Sequence, residues 1–171
     1  MTDNPFGASS GGGWISWKSD SKIFNVDGEA VELKKIAADP RSMKVGVGKI
    51  APGVPPHFIW PEVPGGRVEG PDKEYKKAFA LDCHVAQKDG APSDGARLWR
   101  SNGWANFAAL EKVWGDVHAQ AKANDGKWVV LKMTGIESVK TKNGKTVNIP
   151  QLAIDSWIDA PEGASAGADL F

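Results

Sequence analysis

Cations and aromatic rings are interleaved along this chain at short spacing. Trp14 and Trp17 precede Lys18 and Lys22, Tyr75 sits among Lys73, Lys76 and Lys77, and Trp99 lies between Arg97 and Arg100. Trp128 is two steps of a strand away from Val130 and four from Lys132, while Lys140, Lys142 and Lys145 surround Asn143. Phe58 and Trp60 stand on a proline-rich stretch, and Lys44 and Lys49 lie just before it. Single-stranded nucleic acid asks for this combination. Cations track its phosphates, and rings stack on its unpaired bases at roughly 1–3 kcal/mol per base. The candidate DNA-binding residues are therefore Trp17, Lys44, Lys49, Phe58, Trp60, Tyr75, Lys76, Lys77, Arg97, Trp99, Arg100, Trp128, Lys132, Lys140, Lys142 and Lys145. Arg97-Leu98-Trp99-Arg100 is the best single cluster, because an exposed arginine stacks as well as neutralises. The competing reading of each tryptophan is a core residue, and of each lysine a solvated surface.

Catalytic chemistry lacks its parts. There is no Gly-x-Ser-x-Gly elbow, phosphate loop or dinucleotide fingerprint. Cys83 and His84 are adjacent on an expected strand, so they point to opposite faces and cannot form a nucleophile–base pair. The three histidines and one cysteine have no zinc-type spacing, and no cofactor or metal is implied. The lone cysteine excludes an internal disulfide and suits a reducing compartment. No apolar run is long enough for a membrane-spanning helix, and the start lacks the pattern of a standard signal peptide. Eight tryptophans against one tyrosine is the compositional oddity.

The elements that must position these residues follow from pattern. Residues 1–13, rich in glycine and serine, read as a flexible leader. Asp27-Gly28 between apolar runs at 22–26 and 29–33 predicts a hairpin. Residues 43–50 predict a strand in which Gly46 and Gly48 mark a bend or a close backbone approach. The density of proline and glycine over 51–71 predicts a long irregular loop of functional type, with Phe58 and Trp60 exposed on it or stapling it to the core. Residues 75–86 predict a strand and 87–103 a polar loop. Residues 104–122 predict a helix, capped by Ser101 or Asn102, whose Trp104, Phe107, Leu110, Trp114 and Val117 face the core. Residues 127–139 predict a strand, Asn143-Gly144 a hairpin turn, and 146–158 a last strand that Pro150 places at an edge or a bulge. Three strand segments, a helix and two further strands give the order of an OB-fold, a five-stranded, partly open barrel, here mainly β with long loop insertions. Residues 14–158 form that expected domain.

Residues 159–171 stand apart. They hold Asp159, Glu162 and Asp169 and no base, whereas residues 1–158 carry 21 basic and 18 acidic residues, net +3. So small-residue a tail is expected to stay disordered and to end in Phe171 as a ligand for something else. With the strand order and the interleaved rings and cations, the ending Ala168-Asp169-Leu170-Phe171 resembles the single-stranded DNA-binding proteins of bacteria and their phages. The resemblance implies an OB-fold that coats single strands without sequence preference during replication, recombination or repair. It also implies that Asp169, Leu170 and Phe171 recruit partner proteins. Fewer acids, and Leu170 where proline is common, fit a phage- or plasmid-encoded member acting in the cytoplasm of a bacterial host. Monomer and homodimer both remain open. Two other classes compete: a protein–protein adaptor or phage inhibitor of a host enzyme, and a carbohydrate-binding module whose tryptophans stack on sugars.

Overall fold

Among the described residues, ten strands and one long helix account for more than half. The computed structural model describes residues 13–63 and 66–161. Most of the expected leader and, beyond Pro161, the expected tail with Asp169, Leu170 and Phe171 lie outside the described residues. The strands are β1 (Gly13–Lys18), β2 (Ile23–Val26), β3 (Glu29–Val31), β4 (Lys35–Ala38), β5 (Lys44–Lys49), β6 (His57–Ile59), β7 (Lys76–Val85), β8 (Gly95–Ser101), β9 (Trp128–Lys140) and β10 (Thr146–Ile158). The helix, α1 (Trp104–Ala121), falls between β8 and β9.

Local chemistry sets several of these boundaries. Asp27 (φ 56) and Gly28 (φ 84) both take left-handed backbone. That is the two-residue turn whose twist matches the flanking strands, and it joins β2 to β3. Asn143-Gly144 likewise turns β9 into β10, with the Thr141 N–H donating to the Lys145 carbonyl at 2.8 Å. Pro150 lies in β10, which pairs only with β9 and whose register shifts at Gln151/Leu152, so the missing N–H breaks no ladder.

The sheet is mixed and open. Its order is β10-β9-β4-β7-β8-β1-β2-β3, with β5 between β7 and β6. The β1–β8 pair is parallel and the others are antiparallel. With β8 along one edge of β7, both β4 and β5 take the other. They are separated there by a 3₁₀ turn at Pro40–Ser42 that the Asp39 carboxylate caps by accepting the Arg41 N–H. The hydrogen-bond ladder does not close on itself. Side chains bridge β10 to the end of β1 instead: the Asn148 amide donates to the Ser19 carbonyl at 2.9 Å, and the Trp17 indole donates to the Asn148 carbonyl at 2.8 Å.

The core lies between α1 and the curled sheet. Trp17, Phe24, Phe79 and Trp99 meet edge to face, with centroids 4.9–5.6 Å apart. Asn106, a buried polar residue on α1, completes it. Its carbonyl oxygen accepts from the Trp17 backbone N–H (2.8 Å) and the Trp99 indole (2.9 Å), and its amide donates to the Trp17 carbonyl (3.1 Å). It thus satisfies the edge of β1 opposite β2, beyond the point where pairing with β8 stops.

Four sequence expectations fail here. The stretch 87–103 is not a polar loop but holds β8, a central strand. The loop 51–71 contains a short strand, β6, paired with β5. The buried face of α1 is Ala105, Asn106, Ala109, Leu110, Val113 and Val117, so Trp104 turns outward and is 55% exposed. Gly103 takes the N-cap position, while Ser101 accepts its N–H through Oγ at 2.9 Å.

Candidate nucleic-acid interface

A strip of small residues lies across β5 and β7. Gly48 stands opposite Lys76, Gly46 opposite Ala78, and Lys44 opposite Ala80, which in turn faces Arg100 on β8. Alternation puts all of these on the sheet face away from Phe79 and Leu81. With no side chain at Gly46 or Gly48, two rings come close to the β5 backbone at those positions. A Cβ on Gly48 would fall 2.5 Å from the Phe58 ring, and one on Gly46 would fall 2.8 Å from the Trp60 ring. The close approach that the two glycines suggest is thus to the Phe58 ring at Gly48, and at Gly46 to the Ile59 backbone carbonyl first and the Trp60 ring next. Phe58 and Trp60 stack with nearly parallel planes, 10° apart with centroids 5.5 Å from each other, both half-buried. The Arg100 guanidinium sits 4.3 Å from the Phe58 centroid. Its partial burial pulls the guanidinium below its ordinary pKa. Lys44 and Lys76 stand exposed beside this platform.

Next to the platform, sharing Lys76, is a groove of about 810 Å³ between the stems of loop 50–75 and the start of α1. Lys49, Lys73, Lys76 and Lys77 supply its cations, and Trp104 and Phe107 its rings. Lys77 reaches over Phe107 at 6.0 Å. Asn102 holds the corner together by donating to the Gly48 carbonyl at 3.1 Å. Two acids, Glu74 and Glu111, also line the groove. Glu74 hydrogen-bonds the Lys49 ammonium and, with Asp72, raises its pKa. Tyr75 is half-buried, bonded through its hydroxyl to His57 Nδ1, with Lys49 5.9 Å from its ring.

The expected site residues divide sharply. Lys44, Lys49, Phe58, Trp60, Tyr75, Lys76, Lys77 and Arg100 gather at the platform and groove. Trp17 (3% exposed), Trp99 (0%), Trp128 (3%) and Arg97 (5%) do not, because alternation on β1, β8 and β9 turns them inward. Trp99 is therefore a core residue and not an exposed stacking ring. Arg97 is consumed internally, 3.1 Å from the Asp27 carboxylate and 2.8 Å from Ser93 Oγ. Lys132 is exposed on β9 opposite Lys35. Lys140, Lys142 and Lys145 are exposed at the β9–β10 turn and do not line the groove. Trp104 is the groove residue that sequence reasoning assigns to the core. Its one sequence signal is the position directly after Asn102-Gly103, where a helix starts beside a loop.

Among the described residues no three His, Cys, Asp or Glu side chains come together to hold a metal. Cys83 is buried, and burial pushes its thiol well above the ordinary value, away from nucleophilic use. No described helix is long and apolar enough to cross a membrane. No protein-family model, curated protein or solved structure matches the chain.

Proposed function

We propose that this protein binds single-stranded DNA without sequence preference, holding phosphates on the groove lysines and bases on Trp104 and the Phe58–Trp60 platform. The observation that carries the reading is the groove itself: four ammonium groups around a cleft walled by a half-exposed indole. A duplex hides its base faces, whereas an unpaired strand offers both phosphate and ring to such a wall.

The connectivity supports an OB-type reading of the sheet. The interrupted strand β4–β5, then β7 and β8, make a meander; α1 follows; and the β9–β10 hairpin returns to pair with β4. In that fold the ligand lies on the second and third strands, between the loop joining the first two and the loop joining the last two. Those correspond here to loop 50–75 and to the lysine-bearing turn at 140–145. The β1–β3 unit is an addition that takes the free edge of β8, leaving the ladder open. Service in replication, recombination or repair, with Asp169, Leu170 and Phe171 recruiting partners, rests on the family resemblance alone.

The test is intrinsic tryptophan fluorescence titrated with a poly-dT strand of about 30 nucleotides, long enough to span several stacking sites, beside a duplex of equal length. Strong quenching by the single strand, weakened by salt as counterion release requires, is the expected result. Absence of quenching by either DNA removes the reading. A second reading, a protein adaptor, draws on the apolar groove of about 250 Å³ between Met43, Val45, Leu110 and Trp114, where Val45 is 48% exposed. It gains if the titration is silent.

A further inference from the structure

One of the groove's four cations is already occupied. Lys49, at the end of β5, has its ammonium 2.6 Å from Glu74 and 3.6 Å from Asp72. Both acids belong to a short turn just before β7. Asp72 Oδ1 accepts the Glu74 N–H at 2.8 Å, and the Asp72 carbonyl accepts the Tyr75 N–H at 3.3 Å. That turn presents two carboxylates side by side. Lys49 and Glu74 stand on the two stems of loop 50–75, so the ion pair clasps the base of the loop. It does so in the wall of the groove, since both residues line it. The other three groove lysines, Lys73, Lys76 and Lys77, form no ion pair of this type among the described residues.

Taking the groove as the site of the proposed DNA binding, we infer that Asp72 and Glu74 act as a built-in competitor of the DNA phosphate. They hold Lys49 until a strand displaces them. A carboxylate offers the ammonium one negative charge and two acceptor oxygens, as a phosphodiester does, and here a second carboxylate stands beside the first. A strand entering the groove exchanges one anionic partner of Lys49 for another, so this lysine contributes less net affinity than its neighbours. The pair therefore lowers affinity for short or weakly held strands and favours occupants that engage several lysines at once.

A double-mutant cycle tests this on the full chain, with poly-dT affinity read by fluorescence anisotropy at several salt concentrations. Asp72→Asn with Glu74→Gln is expected to tighten binding about fivefold, the scale on which exposed ion pairs act. In a Lys49→Gln background the same double change is expected to give little or no gain. The slope of log affinity against log salt is expected to stay that of the wild type, because Lys49 ends on a phosphate in both proteins. An equal gain with and without Lys49 overturns the inference, since removal of negative charge alone then explains it. So does the absence of any gain. Wild-type protein that fails to bind poly-dT sinks the DNA reading itself, an outcome separate from a wild type that binds and a cycle that shows no coupling. Circular dichroism melts of all four proteins establish that each is folded.

Discussion

Aromatic residues occupy the inside and the outside of this molecule under opposite rules. Inside, Trp17, Phe24, Phe79 and Trp99 meet edge to face, and the indole N–H groups of Trp17 and Trp99 donate to Asn148 and Asn106. Both indole donors of that set are used. Outside, Phe58 and Trp60 stack on each other close to Gly48 and Gly46, Trp104 projects from the first turn of α1, Arg100 stands over Phe58, and lysines share the groove with Trp104. Those rings keep surface to give. The same residue types thus pack where the protein completes their contacts and, on the proposed function, recognise ligand where it does not, so substitutions in the two regions should separate stability from binding.

The largest separation is expected from Trp99→Ala. Removing a wholly buried indole leaves a cavity and orphans one acceptor contact of Asn106, for a loss of about 3–5 kcal/mol of stability. DNA affinity of the fraction that remains folded should not change. A thermal melt together with a titration well below the midpoint checks both. Affinity that falls while the melt stays put would return Trp99 to the interface.

Gly48→Ala tests the platform from beneath. The new Cβ has no room under Phe58, so the ring must lift, at about 1–3 kcal/mol for overpacking. Because Phe58 is only half-buried, its displacement relieves part of that strain while spoiling the flat surface. Poly-dT affinity should fall by about tenfold, the share of one stacked base. A variant that is destabilised yet binds like the wild type would make the platform a simple lid over Ala78 and Ala80.

Trp104→Ala is the mirror of Trp99→Ala. An exposed ring at a helix start has few packing partners to lose, so stability should move by no more than about 0.5 kcal/mol. Affinity should drop by about 1–3 kcal/mol if the indole stacks on a base. The quenching amplitude should drop with it, since Trp104 and Trp60 are the interface fluorophores. An unchanged quench would move the bases elsewhere.

This inside–outside division was only half legible in the chain. The hairpins at Asp27-Gly28 and Asn143-Gly144, the strand over Thr146–Ile158 and the place of Pro150 at an edge all follow from turn and proline chemistry, which acts locally. Strand β8 does not. In Ala96–Arg100 the inward positions belong to Arg97 and Trp99 and the outward ones to Leu98 and Arg100, so polarity gives no clean alternation. The burial of Arg97 depends on Asp27, seventy residues away in sequence. The face of α1 misleads for a related reason. A polar residue, Asn106, holds the core position because its amide completes the edge of β1, and this rotates Trp104 out to solvent. Phe58, Trp60 and the lysines of 73–77 were legible as candidates because prolines and charges keep them from the interior. Their assembly around Gly46 and Gly48 required the sheet.

The smallest expected effect distinguishes two groups of lysines on the outside. Lys76 lies in the groove and beside the platform, whereas Lys142 stands at the β9–β10 turn, away from the groove lining. If both contact phosphate, the strand runs from loop 50–75 to that turn across the face of β7 and β8. If only Lys76 does, it is confined to the groove. Each lost phosphate contact on a single strand should flatten the salt slope by about 0.7. Lys76→Gln is expected to do so. For Lys142→Gln the same flattening appears only with strands long enough to reach the turn, so titrating both variants against a series of poly-dT lengths maps the path. A Lys76→Gln slope equal to that of the wild type at every length would take the phosphate chain out of the groove, and with it the distinction between rings that pack and rings that bind.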